Sequence, residues 1–453
     1  MIRFLGELTA EKFRKWLPDS FSFALILTFI AMVFALTITN TEPIALLENW
    51  YKGFWMFLKF SMQMALIVVL GYAVGNAPAF SRIFDWLGSK VNNPTSVYLI
   101  IVFIGGCLSW IFWGFAVSVA VMGMELARRV KGTDYRFVGA CAYISLVLSG
   151  YGLSVTAPLL MNTPGNQYME QGLIDRLVPP SETIFSTFNL TILAVTIIIV
   201  FMMIMLLKPK QADPKWDAAD RIEKGELVVE KQIEDQDKKK FYTPAESVDR
   251  SIVLTLLICI CGIIYIFYHF GTKGLSGLNL DSLNFTFFMV GMALWGRPSL
   301  FAKAVLSGVR GVASIIIQFP FYAGIMGIFM FSGLSKVIAA WLISISSPTT
   351  FPWFVFLSSS IVNIFVPSNG GEWLVIGGPL IQASKEFGYP MGKLIMAFTY
   401  GDLCTNLIQP FWTLIYLPVL GRLLDLRARD IMGYTAVLCI VHFITVSILV
   451  MIL

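Results

Sequence analysis

The chain repeats itself. Ser81–Thr95 reads SRIFDWLGSKVNNPT, and Ser335–Thr349 reads SKVIAAWLISISSPT. Each segment opens with Ser and a base and closes with Pro-Thr, at a constant offset of 254 residues, and the same offset pairs Tyr135 with Tyr389. A duplication restricts the fold to two related halves. In an apolar chain it is the mark of a membrane carrier built from two structural repeats.

The surroundings of the repeat are apolar. Of 453 residues, 57% are hydrophobic and 13% charged, about half the charge of an ordinary soluble domain. Runs such as Phe21–Leu36, Leu190–Leu207 and Thr435–Leu453 match the ~20 residues that cross a bilayer. They lack the alternation of a membrane barrel strand. The expected fold is an all-α polytopic membrane protein. The net charge of +5 is mild and belongs to loops, not to a nucleic-acid surface. The six cysteines (Cys107, Cys141, Cys259, Cys261, Cys404, Cys439) show neither metal spacing nor a disulfide framework. His269 and His442 stand far apart. No cofactor and no enzyme chemistry is expected. Residues 1–20 mix Arg3, Lys12, Arg14 and Lys15 with Phe4, Leu8, Phe13 and Trp16, which reads as a cytoplasmic interfacial segment.

Spans are expected near 21–39, 54–75, 137–160, 183–207, 251–270, 280–297, 310–331, 391–418 and 432–453. Two apolar stretches, 97–127 and 351–383, are too long for one crossing and are interrupted. The interruptions are Trp113-Gly114-Phe115 and Pro367-Ser368-Asn369-Gly370-Gly371. Each stretch reads as a re-entrant hairpin with its tip at mid-membrane, where irregular backbone survives only inside protein or against a polar cavity. With the N-terminus cytoplasmic, Arg82, Lys90, Arg128, Arg129, Arg136, Arg297, Lys303, Arg422, Arg427 and Arg429 fall inside. That places the C-terminus outside and inverts the second copy. The domains expected are a first repeat over 21–207, a charged cytoplasmic linker over 208–250, an extra helix and loop over 251–279, and an inverted repeat over 280–453.

A broken span is expected after each hairpin. The first break is Ser149-Gly150-Tyr151-Gly152-Leu153-Ser154. The second is Tyr400-Gly401-Asp402, followed by Thr405, Asn406, Gln409 and Pro410. Freed carbonyls there can hold a cation, and helix N-termini can face an anion. Substrate contacts are expected from Trp113, Gly114, Phe115, Ser149, Gly150, Gly152, Ser154, Ser368, Asn369 and Gly370. A coupling-ion site is expected at Gly401, Asp402, Thr405, Asn406 and Asn369. Asp402 is the sharpest of these, because a carboxylate in an apolar span needs a cation, a proton or donors. Its alternative role is a protonated or capped acid that holds the helix break. Glu372 reads equally as a first-turn cap or a ligand. Trp110, Trp113 and Phe115 read either as an apolar wall for an acyl tail or as packing aromatics. Glu125 reads as a local partner of Arg128 and Arg129.

Trp16-Leu17-Pro18-Asp19, the Gly-Tyr-Gly-Leu-Ser stretch at 150–154, Pro-Ser-Asn-Gly-Gly-Glu-Trp at 367–373 and Gly401-Asp402 together resemble the bacterial short-chain fatty acid transporter family. The resemblance spans nearly the whole chain. It implies membership of the ion transporter superfamily, elevator-type movement, a bacterial inner-membrane location and a small carboxylate such as butyrate or acetoacetate as substrate. A homodimer follows by analogy alone. Sodium-coupled dicarboxylate relatives carry a polar Ser-Asn-Thr tip in both hairpins, whereas here only Ser368-Asn369 is similar. The resemblance therefore implies one cation site near Asp402, for a sodium ion or a proton. The readings set against it are a carrier of dicarboxylates or amino-acid-like anions, a channel, and a membrane enzyme.

Overall fold

In hydrocarbon a backbone must satisfy its own amides and carbonyls, so the apolar runs become helices. A computed structural model describes residues 20–227, 242–409 and 411–453. The expected interfacial segment lies outside them except for Ser20. The first half contains α1 (Ser20–Ile38), α2 (Pro43–Met56), α3 (Leu58–Gly75), α4 (Pro78–Gly88), α5 (Pro94–Ile111), α6 (Ala116–Ala127), α7 (Tyr135–Ser145), α8 (Thr156–Met161) and α9 (Thr187–Leu207). Helix α10 (Ile252–Lys273) stands between the halves. The second half contains α11 (Leu280–Trp295), α12 (Pro298–Gly308), α13 (Ala313–Phe331), α14 (Leu334–Ile345), α15 (Phe351–Asn363), α16 (Asn369–Phe387), α17 (Met391–Asn406), α18 (Thr413–Leu420) and α19 (Ala428–Ile452).

The 254-residue offset carries α3 onto α13, α5 onto α15, α6 onto α16 and α7 onto α17. Counterparts α3 and α13 cross antiparallel. Phe60 stacks on Phe319 at 5.7 Å, while Ala65 and Val69, further along α3, pack on Val312 at the start of α13. The halves also exchange partners: α2 lies along α13, and α12 lies along α3. The first crossing is close because glycines face each other. A Cβ on Gly53 would meet Gly327 Cα at 2.7 Å. Small residues let helix backbones approach in this way, which is how packing is gained without a water-driven force.

Both long stretches fold back as helical hairpins. In the first, Gly105 faces Val119, and in the second, Phe351 meets Phe387 at 5.1 Å. The first tip is a short 3-10 turn, Trp113–Phe115. The second tip ends sooner than expected, because Ser368 caps α16 by accepting from the Gly371 amide at 3.3 Å, so Asn369, Gly370 and Gly371 are already helical. The first break lies where expected, with 3-10 geometry over Leu146–Tyr151 and extended backbone at Gly152. The second does not. Helix α17 runs unbroken through Gly401 and Asp402 to Asn406. Gly401 is there for close packing: the Phe356 carbonyl of α15 lies against the place a Cβ would fill. Pro410 of the second break lies outside the described residues. The run expected over 54–75 is also divided, since the backbone leaves helical geometry at Phe57 and α2 precedes it.

Helix α10 exposes Ile252, Val253, Leu257, Ile264 and Phe267, and packs through Cys259 and Gly262 against Met289 of α11. An outward apolar face of this kind suits lipid. The linker is anchored at its start. Asp217 accepts from the Gly132 amide at 2.7 Å, and Arg136 lies over the Trp216 ring. Glu125 keeps its expected partners Arg128 and Arg129, but it is buried, and Asp85 joins them.

Candidate functional site

The four irregular segments meet. At tip one, the Trp113 amide donates to Ser154 Oγ of break one at 2.9 Å, and the Trp113 ring meets Trp412, between α17 and α18, edge-on at 5.8 Å. The Trp110 carbonyl accepts from the Leu153 amide at 2.7 Å. At tip two, Asn369 Oδ1 accepts from the Ala157 amide at 2.9 Å, and Asn369 Nδ2 points to Asp402 Oδ2 at 3.4 Å. Tip one therefore touches the first break and the segment between α17 and α18, and tip two touches the first turn of α8 and Asp402 within α17. Some backbone groups that a helix would pair are paired across the crossing instead.

A cavity of about 660 Å³ opens at this crossing. Its apolar wall includes Val68, Val117, Leu146, Val155, Ile315 and Phe319. Its polar lining includes Ser149, Ser154, Thr156, Gln318, Ser368, Asn369, Asp402 and Asn406. Tyr72, Ser307 and Arg422 line it where α3 and α12 end. The first residues of α6 (Ala116, Val117), α8 (Thr156) and α16 (Asn369) border it too. Helix N-termini carry partial positive charge and unpaired amides, which favour an anion.

Among the expected contacts, Trp113, Gly114, Ser149, Gly150, Ser154, Ser368, Asn369, Asp402 and Asn406 border the cavity. Five do not. Phe115 turns away to pack with Phe80, Phe112 and Phe287. Gly152 backs onto the Trp110 carbonyl, and Gly370 is wedged between Phe60 and Thr156. Gly401 packs on α15 as described. Thr405 accepts from Asn363 Nδ2 at 2.9 Å within the helix packing. Trp110 meets Phe185 at 6.5 Å, so it packs and forms no wall. Gln63 serves an interhelical bond, donating to Asp281 at 2.6 Å, whereas Gln318 borders the cavity.

Two functional candidates escaped the sequence. Asn363, buried in α15, donates to the Asp402 carbonyl (2.7 Å), Thr405 Oγ1 (2.9 Å) and Asn406 Oδ1 (2.9 Å). Its signal was an amide inside an apolar helix. Arg422 borders the cavity and forms no ion pair with another described residue. Nearby Arg427 differs: its hydrogen bond with Asp425, then the Asp425 charge, raises its pKa further above the ordinary arginine value.

The model of a family described as short chain fatty acid transporter matches residues 1–453. The chain belongs to the short-chain fatty acid transporter family. Two family relatives, both provisionally named short-chain fatty acid transporters, come from Escherichia coli (strain K12) and Haemophilus influenzae (strain ATCC 51907 / DSM 11121 / KW20 / Rd). The first is 36% identical over 421 residues, 93% of this chain and 92% of the relative. The second is 35% identical over 430 residues, 93% of each. Two solved transporters share the fold. The YdaH transporter of Alcanivorax borkumensis, reported with an unusual topology, matches with TM-score 0.58 at 13% identity, over 96% of this chain and 98% of that one. MtrF of Neisseria gonorrhoeae, reported to illuminate a class of antimetabolite efflux pumps, matches with TM-score 0.54 at 16% identity, over 94% and 95%. The family member is thus a multi-pass membrane protein with a transporter fold.

Proposed function

We propose that this family member is a secondary active carrier that moves small monocarboxylates, such as butyrate or acetoacetate, across the bacterial inner membrane by cation-coupled symport. The observation that carries this is the cavity at the crossing of two hairpin tips and two helix breaks. Its wall is mostly apolar, helix N-termini border it, and Arg422 is the one Lys or Arg among its described lining residues. An apolar wall suits a short acyl tail. One cation and a few amides suit one carboxylate. A dicarboxylate would bring a second charge for which the described lining residues offer no second cation.

Sidedness follows from charge. The basic loops 82–90, 128–136, 297–303 and 422–429 face the cytoplasm in this reading, with the C-terminus outside. The hairpins then enter from opposite sides, and the cavity, reaching Arg422, opens inward.

Reconstituted vesicles provide the test. Counterflow of labelled butyrate should be saturable, absent from protein-free vesicles, and competed by acetoacetate more strongly than by succinate. Absence of saturable counterflow sinks the carrier reading. Stronger competition by succinate moves the substrate class to dicarboxylates.

A further inference from the structure

Beside the cavity lie two acids that face each other. Glu372 is fully enclosed in the first turn of α16, the turn whose Asn369 Nδ2 lies 3.4 Å from Asp402 Oδ2 on α17, and Asp402 and Ser359 of α15 are among the groups that act on its carboxyl. Neither Glu372 oxygen accepts a well-formed hydrogen bond, and neither does Asp402 Oδ1. The Ser359 hydroxyl is committed to the Phe398 carbonyl at 2.7 Å. Asp402 Oδ2 receives long contacts of 3.4 Å from Asn369 and Asn406.

No described Lys, Arg or His pairs with either acid. The titratable groups on neighbouring elements point elsewhere. Tyr168 donates to the Trp373 carbonyl at 2.9 Å, Tyr400 to Asn189 at 2.9 Å, Tyr322 to Gln318 at 3.2 Å, and Tyr143 to the Asn406 carbonyl at 2.6 Å. Tyr151 meets His442 at 2.9 Å, and Cys404 faces Cys439 at 3.9 Å.

Two enclosed carboxylates with only two long amide contacts between them and no described cation would each incur a desolvation cost of several kcal/mol and repel one another. A single proton relieves both costs. It neutralises one acid and makes it a donor to the other, as in paired-carboxyl sites. We propose that Glu372 and Asp402 form a proton-binding dyad whose shared proton is the coupling ion of the carrier. This rests on the carrier reading above.

Asp402 borders the cavity and Glu372 does not, so Asp402 is the entry. A proton from cavity water binds the Asp402 carboxylate and is shared with Glu372. It returns to water when the site faces the other side. Asn369 ties the dyad to the substrate tip, since its amide faces both Asp402 and the Ala157 amide. A carboxylate bound at that tip would meet the repulsion of an unprotonated dyad. Proton and substrate therefore bind together.

The test is the pH dependence of butyrate KM in counterflow, with the full chain in vesicles. One coupled proton raises KM about tenfold per pH unit above the dyad's titration. Glu372→Gln should flatten that slope, and Asp402→Asn should do the same. A flat wild-type profile overturns the dyad, as does a KM that follows sodium concentration instead of pH. A slope kept in Glu372→Gln means that the proton is carried without the pair, by Asp402 alone or by butyric acid, which also overturns it. Should both variants fail to fold, the infrared band of a buried protonated carboxyl in the wild type decides: presence supports the dyad, absence removes it. Wild-type protein with no counterflow at any pH would refute the carrier reading itself, a separate outcome.

Discussion

Arg422 and Asn363 show how single side chains divide the work at the crossing. Arg422 is exposed and borders the cavity, where it can draw an anion without a large desolvation cost. Arg422→Gln should raise butyrate KM about two- to five-fold and leave turnover nearly unchanged, the effect of losing an exposed ion pair. An unchanged KM removes Arg422 from the substrate path. Asn363 works by connection, since its amide nitrogen, with two hydrogens to donate, lies within reach of three oxygens on α17. Asn363→Leu should cost about 2 kcal/mol or more, the penalty of buried acceptors left without donors. A lowered Tm in detergent reads that loss, and an unchanged Tm would show that the α15–α17 contact does not depend on it. Asp402 was legible beforehand because a charge in an apolar run is conspicuous. Arg422 was not, because it is one of several bases near a helix end. Glu372 stayed ambiguous, because a first-turn acid is an ordinary cap until its unpaired oxygens and its acidic neighbour are seen.

At the scale of elements, α15 and α17 carry the clearest lesson. Glycine beside a polar residue reads as a helix break, yet Gly401 is helical and pressed on the Phe356 carbonyl. The same residue type serves two ends, unwinding a backbone or admitting a neighbour, and the chain alone does not say which. Gly401→Ala should therefore destabilise by about 1–3 kcal/mol through overpacking rather than by rewinding a break. A detergent Tm equal to that of the wild type would contradict the close contact. The hairpins were easier to read. A stretch of more than 30 apolar residues broken in its middle exceeds one crossing, and both folded back.

At the scale of the whole molecule, the seam between α3 and hairpin one divides a candidate framework from a candidate mobile body. Ser118 of α6 donates to the Gly75 carbonyl at 2.8 Å, and a Cβ on Gly75 would lie 2.7 Å from Ser118 Oγ. The two positions are close enough that a small shift would let a cysteine pair join. In a chain relieved of Cys404 and Cys439, Gly75→Cys with Ser118→Cys should cross-link the seam. If hairpin one slides past α3, oxidation stops counterflow and reduction restores it. Full counterflow in the oxidised protein would fix the hairpin to α3 and exclude that sliding.

Sequence alone determined the membrane-spanning helical class, the duplication, both folded-back stretches and the first break, and it singled out Asp402 as a candidate. Those features are local: apolar length, an unlikely charge and a repeated phrase are each contained in a short window. Tertiary structure decided which of the polar residues share one cavity, that α3 and α13 cross antiparallel, and that Glu372 turns to Asp402. These depend on contacts between residues tens to hundreds of positions apart. Burial without a donor is a property of that assembled surrounding, so no single window of the chain displays it.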